Sequence, residues 1–196
     1  MTYRLGLTGS IGMGKSTTAR LFAEAGCAVW DADAAVHRLY APGGAAVAPM
    51  EAAFPDAIEQ GAVSRALLKQ IIADDPAALP RIESIVHPLV ARDRADFAAA
   101  ATADILVFDI PLLFETGGAD RMDATAVVSV DANTQKARVM ARGTMTEAQF
   151  EQIRAKQMPD AEKRALADHV IVTDTLDHAR AQVHKILDQI RNRPHA

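Results

Sequence analysis

Three glycines fall within six residues, at Gly9, Gly12 and Gly14, and Lys15, Ser16 and Thr17 follow them directly. This run separates a short apolar stretch, Tyr3 to Leu7, from a stretch between Lys15 and Ala25 that carries Leu21 and Phe22 on one side. A buried strand that passes through glycines straight into a helix can turn successive backbone N–H groups onto one anion, because no Cβ stands in the way. The helix start adds its positive end. A lysine at this position reaches the β- and γ-phosphates of a nucleotide, and a following serine hydroxyl is of the type that ligates Mg²⁺. The plainer alternative is a glycine-rich turn that merely joins two elements. Its place at the first strand-to-helix junction weighs against that. The expected donor site is therefore Gly9, Ile11, Gly12, Met13, Gly14, Lys15, Ser16 and Thr17.

The rest of the chain fits such a beginning. Gly26 is placed to end the first helix, and Ala28 to Trp30 reads as a second short strand that runs into Asp31-Ala32-Asp33. Ile105 to Phe108, Ala126 to Val130 and His169 to Thr173 read as three more. Short apolar runs alternating with helical stretches predict an α/β fold, a five-stranded parallel sheet covered on both faces. A final helix carries Leu176, Ala179, Val183, Ile186, Leu187 and Ile190 at helical spacing.

Two insertions interrupt the pattern. The longer reads as helical, with Ser64 capping a helix that carries Leu67, Leu68, Ile71 and Ile72, a next helix starting near Pro76, and a third starting at Pro88 and running toward Phe97. The shorter is polar, rich in Lys, Arg, Glu and Gln, and reads as a lid. The expected division is a nucleotide-binding core of residues 1–40, 101–135 and 165–196, a helical substrate subdomain of residues 41–100, and a lid of residues 136–164.

Composition excludes some classes. The net charge of −4 argues against general nucleic-acid binding, which needs a basic footprint. With Cys27 as its single cysteine the chain can form no internal disulfide. No leader-like start and no apolar run of bilayer length is read in it, so a cytoplasmic enzyme without membrane partners is expected, as a monomer or small homo-oligomer. A guanine-reading Asn-Lys-x-Asp is missing, since Asn133-Thr134-Gln135-Lys136 is not that motif, and a kinase is favoured over a GTPase switch.

Acid and base candidates follow the strands. Asp31 and Asp33 end the second strand, where alternation along an extended stretch would put both carboxylates on one side. One would then accept a proton from an attacking hydroxyl while the other orients a partner. The alternative is a solvated pair capping a helix that starts near Ala34. Asp109 follows the third strand in the position of a magnesium-holding carboxylate, or else simply caps the next turn. Arg138 and Arg142, four apart, face one way on a helix, either clamping phosphates or lying on a solvated face. Taken alone, His87 before Pro88 reads as a loop-end cap and Arg65 as a surface charge.

Taken together, these residues resemble the dephospho-coenzyme A kinases. The matching pieces are Leu7-Thr8-Gly9 with the glycine-rich loop, Asp31-Ala32-Asp33, Ser64-Arg65, Ile85-Val86-His87-Pro88, Asp109-Ile110-Pro111-Leu112-Leu113-Phe114-Glu115, and Arg138 and Arg142 with Gln157 downstream. They cover nearly the whole chain in the family's order. The resemblance implies a P-loop fold of three layers, ATP and dephospho-coenzyme A as substrates, and Mg²⁺ as cofactor. It implies phosphorylation of the ribose 3′-hydroxyl. Asp33 would be the base, with Asp31 beside it. Lys15 and Arg138 would steady the transferring phosphoryl group, and Arg142 would assist at ATP. Ser16 and Asp109 would hold the metal. Arg65, His87, Pro111, Leu112, Leu113 and Glu115 would line the acceptor site. The chain departs from the family's pattern at Ser10, Met13 and Trp30, and in Val172-Thr173-Asp174-Thr175, which lacks an Asn-containing turn; no base-contact residues are carried over there.

Overall fold

The computed structural model describes residues 2–192. The chain opens with β1 (Tyr3–Thr8), passes through the glycine-rich loop into α1 (Lys15–Glu24), and makes β2 (Ala28–Asp31). It continues through α2 (Ala32–Tyr40), α3 (Val47–Ala53), a small hairpin of β3 (Ile58–Glu59) and β4 (Ala62–Val63), α4 (Arg65–Asp74) and the long α5 (Ala78–Ala100). Then come β5 (Ile105–Asp109), β6 (Ala124–Ser129), α6 (Ala132–Ala141), α7 (Glu147–Lys156), α8 (Asp160–Leu166), β7 (His169–Val172) and α9 (Leu176–Arg191). These elements form two compact units: Asp31–Ala101, and everything before and after it.

The unit formed by the residues before Asp31 and after Ala101 is built on a five-stranded sheet in the order β2-β5-β1-β6-β7. The pairs β1–β5, β1–β6 and β6–β7 are parallel, with Leu7 opposite Asp109 on one side and Ala126 on the other. Strand residues are buried on both faces, which is why they read as continuous apolar runs and not as alternating ones. Leu5, Leu7, Ile105, Val107, Ala126, Val128 and Ile171 pack with Phe22 of α1 and Val183, Ile186 and Leu187 of α9 into one core. Trp30 meets Phe108 at 6.1 Å between ring centroids, so its bulk is absorbed in packing. The strand expected at Ala126–Val130 lies two residues earlier at its start, because Ala124 already pairs with Leu5. Val130 has left the ladder, and its N–H points at the Met13 sulfur, 3.3 Å away.

The second unit has its own core, gathered from Leu39 and Tyr40 of α2, Met50 of α3, Leu68 of α4 and Ile82 and Val86 of α5. α2, expected at the end of the nucleotide-binding core, packs here against α5, and Arg38 pairs with Asp93 at 2.7 Å. Ser64 caps α4 as expected, its hydroxyl accepting from the Leu67 N–H. The expected break before Pro88 does not occur. α5 runs straight through it. Proline removes one backbone donor there, but Ile85 and Val86 before it and Leu89 and Val90 after it all pack on the same core. Packing on both sides outweighs one missing bond in 23 residues.

Candidate functional site

The glycine-rich loop begins at the carboxyl end of β1, the central strand of the sheet. Met13 N–H donates to Ser10 O at 3.2 Å, which closes a four-residue turn with Gly12 at φ 77° in its third position. A turn of this kind wants glycine there. A Cβ on Gly12 would lie 2.5 Å from Val139 Cγ2 and 3.0 Å from the Gln135 carbonyl. Gly14, at φ 93°, is the N-cap of α1, and a Cβ there would meet Thr173 Oγ1 at 3.0 Å. The amides of Lys15, Ser16 and Thr17 precede the first intrahelical bond, which Thr18 N–H makes to Gly14 O at 3.0 Å. Three donors left in this way at a helix N-terminus are an arrangement that can receive an anion. Two other expected donors are used within the protein: Ile11 N–H on Gln157 Oε1 and Met13 N–H on Ser10.

Lys15 reaches across to the end of β5 and pairs with Asp109, which is 1% exposed. Lysine and strand-end carboxylate, predicted from positions 94 residues apart, thus share one corner of the site. Ser16, the residue after Lys15, is exposed. Among the described residues no cluster of three His, Cys, Asp or Glu side chains is poised to hold an ion.

Arg138 and Arg142 face the same way from α6 and its C-cap. With Gly12, Gly14, Thr17, Thr173, Thr175 and Leu176 they line a cavity of about 330 Å³ next to the loop. Arg138 Nη1 donates to Thr173 Oγ1 at 3.1 Å and Nη2 to Thr173 O at 2.5 Å. The same hydroxyl donates to Met13 O at 2.7 Å. Thr173 therefore ties the end of β7, the glycine-rich loop and α6 together. It was not among the expected site residues, and only its place one step past an apolar run hints at it. A larger cavity of about 710 Å³ borders the loop at Ser10 and Met13, with Gln135, Gln157, Met158 and Asp160 among its walls.

The stretch after β5 departs from expectation. Leu113 is fully buried, and a Cβ on Gly6 would lie 2.7 Å from its Cδ2, so it serves the core and not a cleft. Pro111 O accepts from the Thr8 hydroxyl at 3.1 Å, and Leu112 is exposed. Glu115 faces inward. Its Oε1 lies 2.9 Å from Lys163 Nζ and accepts from the Met158 N–H at 3.0 Å. Burial alone would raise this carboxyl, but the Lys163 ammonium and the Met158 amide outweigh it and hold it below its ordinary value. Lys163 is completely buried and, among the described residues, has no other partner than this carboxylate.

The remaining expected residues belong to the second unit. Asp31 ends β2, and its Oδ1 accepts from the Ala34 N–H at 2.9 Å, capping α2. Asp33 is already in the first helical turn and exposed, so the strand alternation that would have aligned the two carboxylates does not apply. The capping alternative describes Asp31. Arg65 opens α4, exposed, with its guanidinium 5.9 Å from the centre of the Tyr40 ring. Burial raises the Tyr40 phenol above its usual value, and Arg65 partly offsets this. His87 is exposed within α5 and not at a loop end.

A family model described as Dephospho-CoA kinase matches residues 3–178. A "Dephospho-CoA kinase" of Ruegeria pomeroyi is 76% identical over 191 residues, which is 97% of each chain. A crystal structure from Thermus thermophilus has 30% identity and a TM-score of 0.87 over 96% of this chain and 97% of that one. The "Dephospho-CoA kinase from Campylobacter jejuni", at 19% identity and TM-score 0.64, covers 96% and 97% and speaks for the fold. No helix among the described residues is long and apolar enough to cross a membrane.

Proposed function

The chain belongs to the dephospho-CoA kinase family, and on that premise we propose how its residues divide the transfer of the ATP γ-phosphoryl group to the ribose 3′-hydroxyl of dephospho-coenzyme A. The observation that carries the reading is the corner formed by the loop amides of Lys15–Thr17, the Lys15 ammonium and the Asp109 carboxylate, on a chain matched along nearly its whole length. Phosphoryl transfer asks little covalent chemistry of a protein and much positioning and charge stabilisation. The loop amides and the α1 N-terminus hold the phosphates. Lys15 leaves Asp109 for the β- and γ-phosphates, a short movement that trades one anion for another. Arg138 and Arg142 draw charge from the group in flight, and their cavity, with Thr175 and Leu176, holds the nucleoside end of ATP.

Mg²⁺ fits the residues present. An exposed hydroxyl at Ser16 and a carboxylate at Asp109 are hard oxygen donors, and too few to bind the ion alone. A magnesium ion that shares its ligands with nucleotide phosphates needs only such a pair. When bound it supplies neutralisation of phosphate charge.

Asp33 takes the proton of the acceptor hydroxyl. Its exposure on the first turn of α2 leaves the carboxylate open to substrate, whereas the Asp31 oxygen is already engaged as a cap. Arg65 and His87, both exposed on the helical unit, bind the acceptor. Glu115 and Leu113 are left out of that set because their side chains are engaged within the protein. The cytoplasm, where ATP is held, is the proposed place of action.

A coupled ATP-consumption assay across dephospho-coenzyme A, AMP, CMP and gluconate tests this. Turnover with dephospho-coenzyme A and none with the others is expected. Turnover with another acceptor and none with dephospho-coenzyme A refutes it.

A further inference from the structure

Ile11 is the second residue of the turn closed between Ser10 and Met13, so its own N–H and C=O point away from that turn and find no partner in it. Both are satisfied by side-chain amides from one region of the chain. Gln157 Oε1 accepts from Ile11 N–H at 3.2 Å, and Gln135 Nε2 donates to Ile11 O at 2.8 Å. Gln135, 3% exposed, sits in the first turn of α6, and Gln157 is the C-cap of α7. The polar helical segment between them is thus closed at both ends on a single residue of the phosphate loop.

The Gln157 end is itself anchored. The next residue, Met158, gives its N–H to Glu115, and Lys163 binds the same carboxylate oxygen. Glu115 comes from the loop after β5, so the Gln157 side chain is set from the sheet as well as from its own helix.

We infer that Gln157 and Gln135 are positioning residues that fix Ile11 and so hold the phosphate loop in its anion-ready shape before nucleotide arrives, with Glu115 and Lys163 setting Gln157. A loop ordered in advance does not lose that conformational freedom on binding, which favours the bound state. The inference rests on the proposed role of the loop in binding ATP. It also gives Glu115 a task within the protein in place of one at the acceptor.

Gln157→Ala tests it by ADP titration calorimetry, steady-state kinetics, amide exchange followed by NMR, and thermal denaturation. Loss of one net hydrogen bond corresponds to about a three- to tenfold weaker ADP affinity. Exchange of the Ile11 amide should quicken at least about tenfold, while KM for dephospho-coenzyme A stays within about twofold and Tm falls by no more than about 4 °C. Gln157→Glu keeps the length and the acceptor oxygen and should restore slow Ile11 exchange. Should the alanine variant not fold, Gln157→Asn, one methylene too short to reach, takes its place. Unchanged ADP affinity and unchanged Ile11 exchange in a folded variant overturn the inference. So does an equal loss in ADP affinity and acceptor KM. A parent protein that binds no ADP overturns instead the reading of the loop on which the inference stands.

Discussion

Replacing Glu115 by Gln leaves the Lys163 ammonium buried with an amide in place of its counter-ion. The two partners are unequally placed: the Lys163 side chain is 0% exposed and that of Glu115 is 19% exposed. Breaking a buried pair costs about 3–5 kcal/mol when the remaining charge has no escape. Because the new amide oxygen can still accept from Lys163 and from the Met158 N–H, the lower end applies, about 3 kcal/mol. The opposite change, Lys163→Met, removes the charge that is hardest to bury and leaves a carboxylate that reaches water and keeps its backbone donor. About 1 kcal/mol is expected. For a chain of this size these figures correspond to about 6–12 °C and 2–4 °C in Tm. Thermal denaturation followed by circular dichroism at pH 7 reads both. The double variant should return to within about 1 kcal/mol of the parent. A Lys163→Met variant that loses as much stability as Glu115→Gln would refute the argument, since it would mean that relative burial does not set the cost.

Other outcomes are expected elsewhere. Asp33→Asn should cut kcat by about 10²- to 10⁴-fold while ATP affinity, measured by calorimetry, changes by less than about twofold. In acid the protein should lose stability as pH falls through the lowered carboxyls of Glu115, of Asp168, whose burial is outweighed by the Thr125 amide and hydroxyl, and of Asp104, held by Arg191, each below its ordinary 4.5 or 3.8 in the fold. Such groups contribute fully above the ordinary value and lose that contribution below it, so urea midpoints should be flat from pH 8 to 6 and drop below about 4.5. Cys27, whose thiol burial pushes up from 9.0 to about 11, should react with iodoacetamide at pH 8 about a hundredfold more slowly than an unburied thiol, as peptide mass spectrometry will show.

The sequence was most legible where a residue acts on its immediate neighbours. Ser64 caps α4 because its hydroxyl needs only the backbone three residues on, and the glycine-rich loop is recognisable because its conformation is written in adjacent residues. Legibility failed where distant packing decides. Pro88 obeys no local rule, because the flanking turns share a core. The Asp31–Asp33 alternation failed because Asp31 caps a helix that begins at the next residue. The hairpin of β3 and β4, turning at Gln60 and Gly61, offered strands only two residues long, too short for a period to show. Gln135 gave no signal, and Thr173 only its place after an apolar run, since each matters through a contact 124 residues or more away along the chain.

The central place of β1 has a consequence for the order of synthesis. Its neighbours in the sheet are β5 and β6, which begin about a hundred residues later, and the whole helical unit is translated between. A chain still growing at residue 101 already holds every buried residue of the helical core, yet β1 has no strand beside it except what β2 can offer at a distance of one place. The phosphate loop, among the first segments made, is thus among the last to acquire its shape. Its turn awaits Gln135, then Gln157, and finally Thr173. On a ribosome adding about 5–20 residues per second, the last of these contacts can be made only several seconds after the final residue of the helical unit has been added.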